Sequence, residues 1–502
     1  MRCRRNQRAS FGAWVVMAAG VAGVAAVGPG AAAQIDRSIR EPNPREPAVA
    51  PPVSPPPVVP SRAADPGDRR NVRSRIGYPG AADRLGRAMP TGAGVVFAHV
   101  EGDAGVYAPE LLGPAYDAVA FSLRSGPSEP APHATSTARV IYGSTGLAPG
   151  VEIVHCMTSN DFLTGGYLRA DTPGPPLAED PTPFPPRVFN HSWIGDPPPR
   201  QAEVILRRVD YQIDQRGVVM CVGVNNGRET PVPGLLASAY NVVAVGSTSG
   251  QSSGGYTRVA VAGRCKPDLV APSGQTSFTT PVVAACAALL LEQGDRLAEA
   301  GHENANRPEV IKAALMGGAY KDEQWKAALD KPLDEFRGAG EVNLDRALRI
   351  LAGAPLQPDA TIKRLFGWAA PTVTPRGRIT YHLKLPADTG PVSFTLVWNR
   401  RIHGRLVEGH FDQNAKPITL WANQPELADL DLRLISLHDG QETVLARSVS
   451  RIDNVELITM PSLAKGDYRI EIFRDRDHEV SEDDWLAALA WAIDKPRPKT
   501  AK

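Results

Sequence analysis

Hydrophobic positions along this chain change their period once, near Pro355, and the change separates two kinds of structure. Before it, short valine-rich runs such as "GVVFAHVE", "VEIVHC", "RVFNHSW", "GVVMCVGV" and "NVVAVGS" are apolar at nearly every position. Such short, unbroken runs predict parallel strands covered on both faces. Between and after them, "QAEVILRRVDYQIDQRG", "RPEVIKAALMGGA" and "NLDRALRILAG" carry helical spacing. Strands alternating with helices predict an α/β domain with a parallel sheet between helical layers. After Pro355, "RITYHLKLP", "VSFTLVW", "LDLRLISL" and "YRIEIFR" alternate with period two, which predicts antiparallel strands with one wet face. Turn residues separate them, so an antiparallel β-sandwich is expected. The last apolar run, "SEDDWLAALAWAID", opens with a capping-box pattern from Ser481 to Asp484 and is expected to form a short terminal helix.

The start of the chain reads as an address. "MRCRRNQR" is basic, "FGAWVVMAAGVAGVAAVG" is apolar and "GAAAQ" is small, so residues 1–33 are expected to be a signal peptide. The expected destination is the cell envelope, the periplasm or the medium. Membrane association is expected only if that segment stays uncleaved as an anchor. Residues 34–74 are rich in Pro and Arg and predict an extended linker. The α/β domain is expected over 75–355 and the β domain, with its terminal helix, over 356–495. A formal net charge of +1 over 502 residues gives no ground for a nucleic-acid partner. Beyond the signal segment lie Cys156, Cys221, Cys265 and Cys286, which allow three disulfide pairings or buried free thiols. None of their spacings matches a zinc site.

One stretch carries chemistry. In "SGQTSFTTPVVAACAALLL" a small polar run holding Ser277 meets Pro281 and an uncharged apolar helix. An apolar helix of that kind belongs in a core, and its start offers unpaired N–H groups and a positive dipole end. A nucleophilic serine needs a base, a group to orient the base and donors for an oxyanion. Each has a candidate at a strand end or a helix start: Glu101 in "GVVFAHVEGDAG", His133 in "PHATSTARVIYG" and Asn225 in "VGVNNG".

The order acid, His, Asn, Ser, each in its local setting, resembles the subtilisin-like (subtilase) serine proteases over roughly residues 75 to 353. "PHATSTA", "STGLAPGVEIV", "VNNG", "NVVAVGST", "KPDLVAP" and "QTSFTTPVVAA" resemble successive blocks of that family. The resemblance implies a subtilisin-like α/β fold and a secreted endopeptidase acting on protein or peptide substrates. Ser277 would be the nucleophile, His133 the base and Asn225, with the Ser277 N–H, the oxyanion donor. The family's aspartate falls on Glu101, through a gapless run to Pro109, Glu110 and Leu111, with Asp103 as second candidate. "FNHSWIG" resembles the strand that pairs with substrate, which implies that Ser192, Trp193 and Ile194 line the cleft. His99, His155 and His191 are read as core residues of apolar strands.

The sequence also departs from the family pattern. Glu101 replaces Asp, Ala134 and Gln275 replace glycines, and only four residues separate Pro272 from Ser277. These departures keep a second reading open, a subtilase-fold binding protein without proteolysis. An α/β-hydrolase esterase is disfavoured, since the Gly-x-Ser-x-Gly elbow is absent. No cofactor is required, although Asp429, Asp431 and Asp453 are candidate calcium ligands on the β domain.

Overall fold

A computed structural model describes residues 16–18 and 69–496, apart from 103–104, 111–112, 166, 178–183, 329, 412–416, 439 and 475–481. Most of the expected signal segment and of the Pro-rich linker therefore lies outside the described residues. At the end of that linker Arg69–Arg75 is helical, and Arg73 donates to the carbonyl of Gly146 at 2.7 Å.

Seven strands form one parallel sheet. In spatial order they are Leu269–Ala271, Val243–Ser247, Val219–Gly223, Val188–His191, Phe97–Glu101, Ile153–Thr158 and Ala120–Leu123. The valine-rich runs take these places because both faces are covered. One face packs against Ile205, Leu206, Val209 and Ile213 of the helix Pro199–Arg216. The other packs against the helix Thr276–Glu299, whose residues from Thr279 to Leu291 are all buried. Cys156, Cys221, Cys265 and Cys286 are buried and free, so the choice between pairing and thiols falls to thiols. Burial pushes these thiols up, that of Cys286 to about 12, which makes them inert.

Two five-stranded sheets follow, antiparallel throughout except where Thr361–Ile362 runs parallel to Arg378–Leu385. One runs, in spatial order, through Thr361–Ile362, Arg378–Leu385, Gly466–Arg474, Leu430–His438 and Gln441–Ser448. Its Arg378–Leu385 strand keeps the expected alternation of exposed and buried positions. The other contains Phe366–Ala369, Trp485–Ile493, Val392–Trp398 and Val455–Met460, with Thr372–Val373 joined at one end.

The terminal segment corrects the helix expected there. Trp485–Ile493 is a strand, paired on one side with Phe366–Ala369 and on the other with Val392–Trp398. The reason is burial on both faces. Leu489, Trp491 and Ile493 enter the sandwich core, whereas Ala488, Ala490 and Ala492 face the α/β domain. A short apolar run bounded by polar residues fits such a strand as well as a helix. For the same reason the sheet lacks the wet face expected of it. The helix Pro308–Gly318 lies against it so closely that a Cβ on Gly317 would sit 2.9 Å from that of Ala490.

The two regions therefore share a core, and a buried polar cluster ties them. Arg400 pairs with Asp210 at 2.6 Å and exchanges backbone–amide bonds with Asn241, both at 2.8 Å. A buried pair like this one fixes a docking geometry, because any shift would leave charges uncompensated.

Candidate active site

The carboxyl ends of the parallel strands and the starts of two helices converge, as expected of an open α/β sheet. Glu101 is the last residue of the strand Phe97–Glu101, buried to 3% exposure. His133 is the second residue of the helix Pro132–Ile141, where Pro132 suits the first turn. The Glu101 Oε2 accepts a hydrogen bond from His133 Nδ1 at 2.6 Å. Burial opposes charge on both groups, yet the hydrogen bond and the opposite charges prevail. They hold the Glu101 carboxyl down to about 2 and raise the His133 imidazole above its ordinary value.

The geometry fixes the tautomer. A carboxylate only accepts, so His133 carries hydrogen on Nδ1 and presents a lone pair at Nε2. Nε2 is buried and bonds to no described residue. The imidazole packs 6.1 Å from the ring of Phe278, the residue after Ser277.

Ser277 is the second residue of the helix Thr276–Glu299 and is buried to 1% exposure. Its carbonyl accepts from the Ser192 hydroxyl at 3.0 Å, and Ser192 in turn accepts from the Asn190 amide at 3.0 Å. Of the three residues expected to line the cleft, Ser192 thus braces Ser277 and Trp193 is buried, leaving Ile194 half-buried. The strand Trp193–Gly195 stands outside the seven-stranded sheet and pairs antiparallel with Val16–Ala18. Its edge therefore accepts an extended segment.

The asparagine doublet separates into two roles. Asn225 donates its N–H to the Ser253 hydroxyl at 3.0 Å and accepts from the Ser253 N–H at 2.9 Å, both through its main chain. The side chain of Asn226 meets the start of the Ser277 helix. Its Oδ1 accepts from the Thr276 N–H at 2.9 Å and from the Thr276 hydroxyl at 3.1 Å. A backbone N–H must face an acceptor, so the oxygen assignment is chemically determined and Nδ2 remains a donor. The doublet is visible in the sequence; the turn that decides between its members is not.

His99 is the residue that the sequence undervalues. Its Nε2 lies 2.8 Å from Glu101 Oε1, and its Nδ1 lies 2.8 Å from the Tyr142 hydroxyl. The signal is the spacing of two along a strand, which puts residues 99 and 101 on one face. His155 and His191 remain core residues: His155 bonds the Phe184 carbonyl, and burial takes His191 down to about 3. Asp103 lies outside the described residues.

Among the described residues one group has metal-ligand character, His403, Glu426 and Asp483 on the C-terminal region. Asp429, Asp431 and Asp453 do not form such a group, and Asp453 instead accepts from the Ser450 hydroxyl at 2.7 Å.

Residues 124–368 match the model of the subtilase family. Comparison with curated proteins gave no match. Among solved structures, the chain is similar to the prenylagaramide maturation protease PagA, at 17% identity, covering 55% of this chain and 100% of that one, with a TM-score of 0.36. It is also similar to the epidermin leader peptide processing serine protease EpiP of Staphylococcus aureus, at 15% identity, 59% and 84% coverage and a TM-score of 0.38. At such scores the fold assignment rests on the family match and on the sheet itself.

Proposed function

We propose that this chain, a subtilase by its α/β region, is an exported serine endopeptidase in which Glu101, His133 and Ser277 act as one catalytic unit. The observation that supports it best is the bond from His133 Nδ1 to Glu101 Oε2, with the imidazole beside the residue that follows Ser277. Hydrogen on Nδ1 leaves Nε2 free to take the Ser277 proton as Oγ attacks a peptide carbonyl. Glu101 then stabilises the imidazolium, and His133 returns that proton to the departing amine. Water attacks the acyl-enzyme by the same route in reverse. The developing oxyanion is held by a side-chain amide and by the Ser277 N–H at the positive end of the helix. For the amide we favour Asn226, because its carbonyl is anchored on Thr276, over Asn225, which the sequence suggests. Substrate lies along the Trp193–Gly195 edge as an added antiparallel strand.

The test is labelling by a fluorophosphonate probe together with hydrolysis of a mixed peptide library. Labelling and cleavage that both vanish in Ser277→Ala support the reading. A folded wild-type chain that neither labels nor cleaves makes the protein a binding module on a subtilase scaffold. Export is tested by the N-terminal sequence of the mature chain, with cleavage near Ala33 expected.

A further inference from the structure

Glu101 has one methylene more than the aspartate of the family pattern, and therefore one more torsion to fix. In this structure its carboxylate is gripped from both sides. Oε2 takes the His133 Nδ1 hydrogen at 2.6 Å, while Oε1 lies 2.8 Å from Nε2 of the fully buried His99. We propose that His99 is a positioning residue for this site, holding the long Glu101 side chain so that Oε2 faces His133. The inference rests on the proteolytic reading.

The hydrogen bonds define the role. The carboxylate only accepts, so His99 carries hydrogen on Nε2 and its Nδ1 accepts from the Tyr142 hydroxyl at 2.8 Å. Burial raises the Tyr142 hydroxyl well above its ordinary value, so it stays a donor. Tyr142 is itself held edge-on by Phe97, Tyr116 and Phe121, with ring centroids 5.8 to 6.1 Å away. Thr137 completes the pocket, its hydroxyl lying 3.2 Å from Glu101 Oε1 and 3.0 Å from the Ala134 carbonyl. The order is Tyr142, His99, Glu101, His133, from an aromatic cage outward to the reacting centre. Every link has one donor and one acceptor. Without His99, Oε1 would lose its imidazole donor in a site closed to water, and the carboxylate could swing away from His133.

The experiment compares wild type, His99→Leu and His99→Gln as full chains, by peptide hydrolysis and by proton NMR of the downfield His133 Nδ1–H resonance. The leucine removes the donor; the glutamine keeps an N–H at similar reach. His99→Leu should lower kcat about 10²-fold with KM nearly unchanged, as expected for a base misplaced by about 1 Å. It should also lose or broaden the resonance. His99→Gln should keep the resonance and bring kcat back to within about tenfold of wild type. A resonance and a kcat that His99→Leu leaves unmoved overturn the assignment. So does equal loss in both variants, which is the behaviour of a core residue with no positioning role. The resonance reads the grip on Glu101 even in a chain that cleaves nothing, so a wild type without hydrolysis sinks the proteolytic reading alone. If His99→Leu does not fold, Tyr142→Phe carries the test, with lowered kcat and weakened resonance expected and wild-type values overturning it.

Discussion

Glu101 and His133 are fixed by bonds between side chains, whereas on the serine side main-chain groups of Thr276 and Ser277 meet the side chains of Asn226 and Ser192. On the acid side, a buried carboxylate sits between two imidazoles, and its partner His99 is held by a caged tyrosine. On the serine side, Thr276 offers its N–H to Asn226, and the Ser277 carbonyl takes the Ser192 hydroxyl. The first arrangement depends on charge and on low dielectric, so it is sensitive to pH and to single-atom substitutions. The second depends on where a helix begins, so it tolerates pH and responds to changes of backbone register. The proposed proteolysis needs both halves, yet they should fail in different ways.

The largest effect is expected where the halves meet. Ser277→Ala should remove peptide hydrolysis and probe labelling while the thermal midpoint moves by no more than a few degrees, as read by calorimetry. A large fall in midpoint with activity kept would make Ser277 only part of the helix start.

Next comes the charge of the acid half. Glu101→Gln preserves volume but no longer stabilises an imidazolium, and turnover should fall on the order of 10³- to 10⁴-fold. Should this variant turn over normally, Glu101 is not the orienting group, and Asp103 becomes the residue to substitute.

The serine half is sharpened by its two asparagines. Asn226→Ala should lower kcat by about 10²- to 10³-fold through loss of one oxyanion donor, and Asn225→Ala by less than about tenfold. The reverse result, measured on one peptide, would return the role to Asn225.

The smallest effect is a shift along the pH axis. Hydrolysis needs the lone pair of His133, whose pKa lies above its ordinary 6.5, so the acid limb of kcat/KM should stand above pH 6.5. Stability has its own window. Glu101, lowered from 4.5 to about 2, contributes above pH 4.5 and loses its contribution as pH falls through that interval. His133, raised, contributes below pH 6.5 and loses its share as pH rises through its folded value. The pair therefore stabilises most between about pH 4.5 and 6.5. Thermal midpoints of wild type and Glu101→Gln, followed across pH, should differ most in that range; a constant difference would mean that the pair's charge is not what the substitution removes.

Much of this arrangement is legible in the chain itself. Unbroken valine-rich runs place the parallel strands, and the uncharged run after Ser277 places the core helix. Glu101, His133 and Ser277 stand at strand ends and helix starts, which is where their sequence settings put them. What escapes is set by neighbours distant in the chain. His99 looks like any histidine in an apolar strand, because Tyr142 is 43 positions away. Asn225 and Asn226 are adjacent and chemically identical, and only the turn after Gly223 decides which amide meets Thr276. Trp485–Ile493 reads as a helix because its second buried face exists only once the α/β domain is docked against it.

That strand also bears on time. A chain is made from its N-terminus, so Trp485–Ile493 arrives after every residue of the site and after both strands it lies between. Until it does, the sheet has a gap between Phe366–Ala369 and Val392–Trp398, and Gly317 lacks the surface its helix is fitted to. The region bearing Glu101, His133 and Ser277 is synthesised early but acquires its full set of packing contacts late. A chain cut short before Trp485 carries every residue of the site without the support beneath it, so the proposed activity should wait on the arrival of that strand.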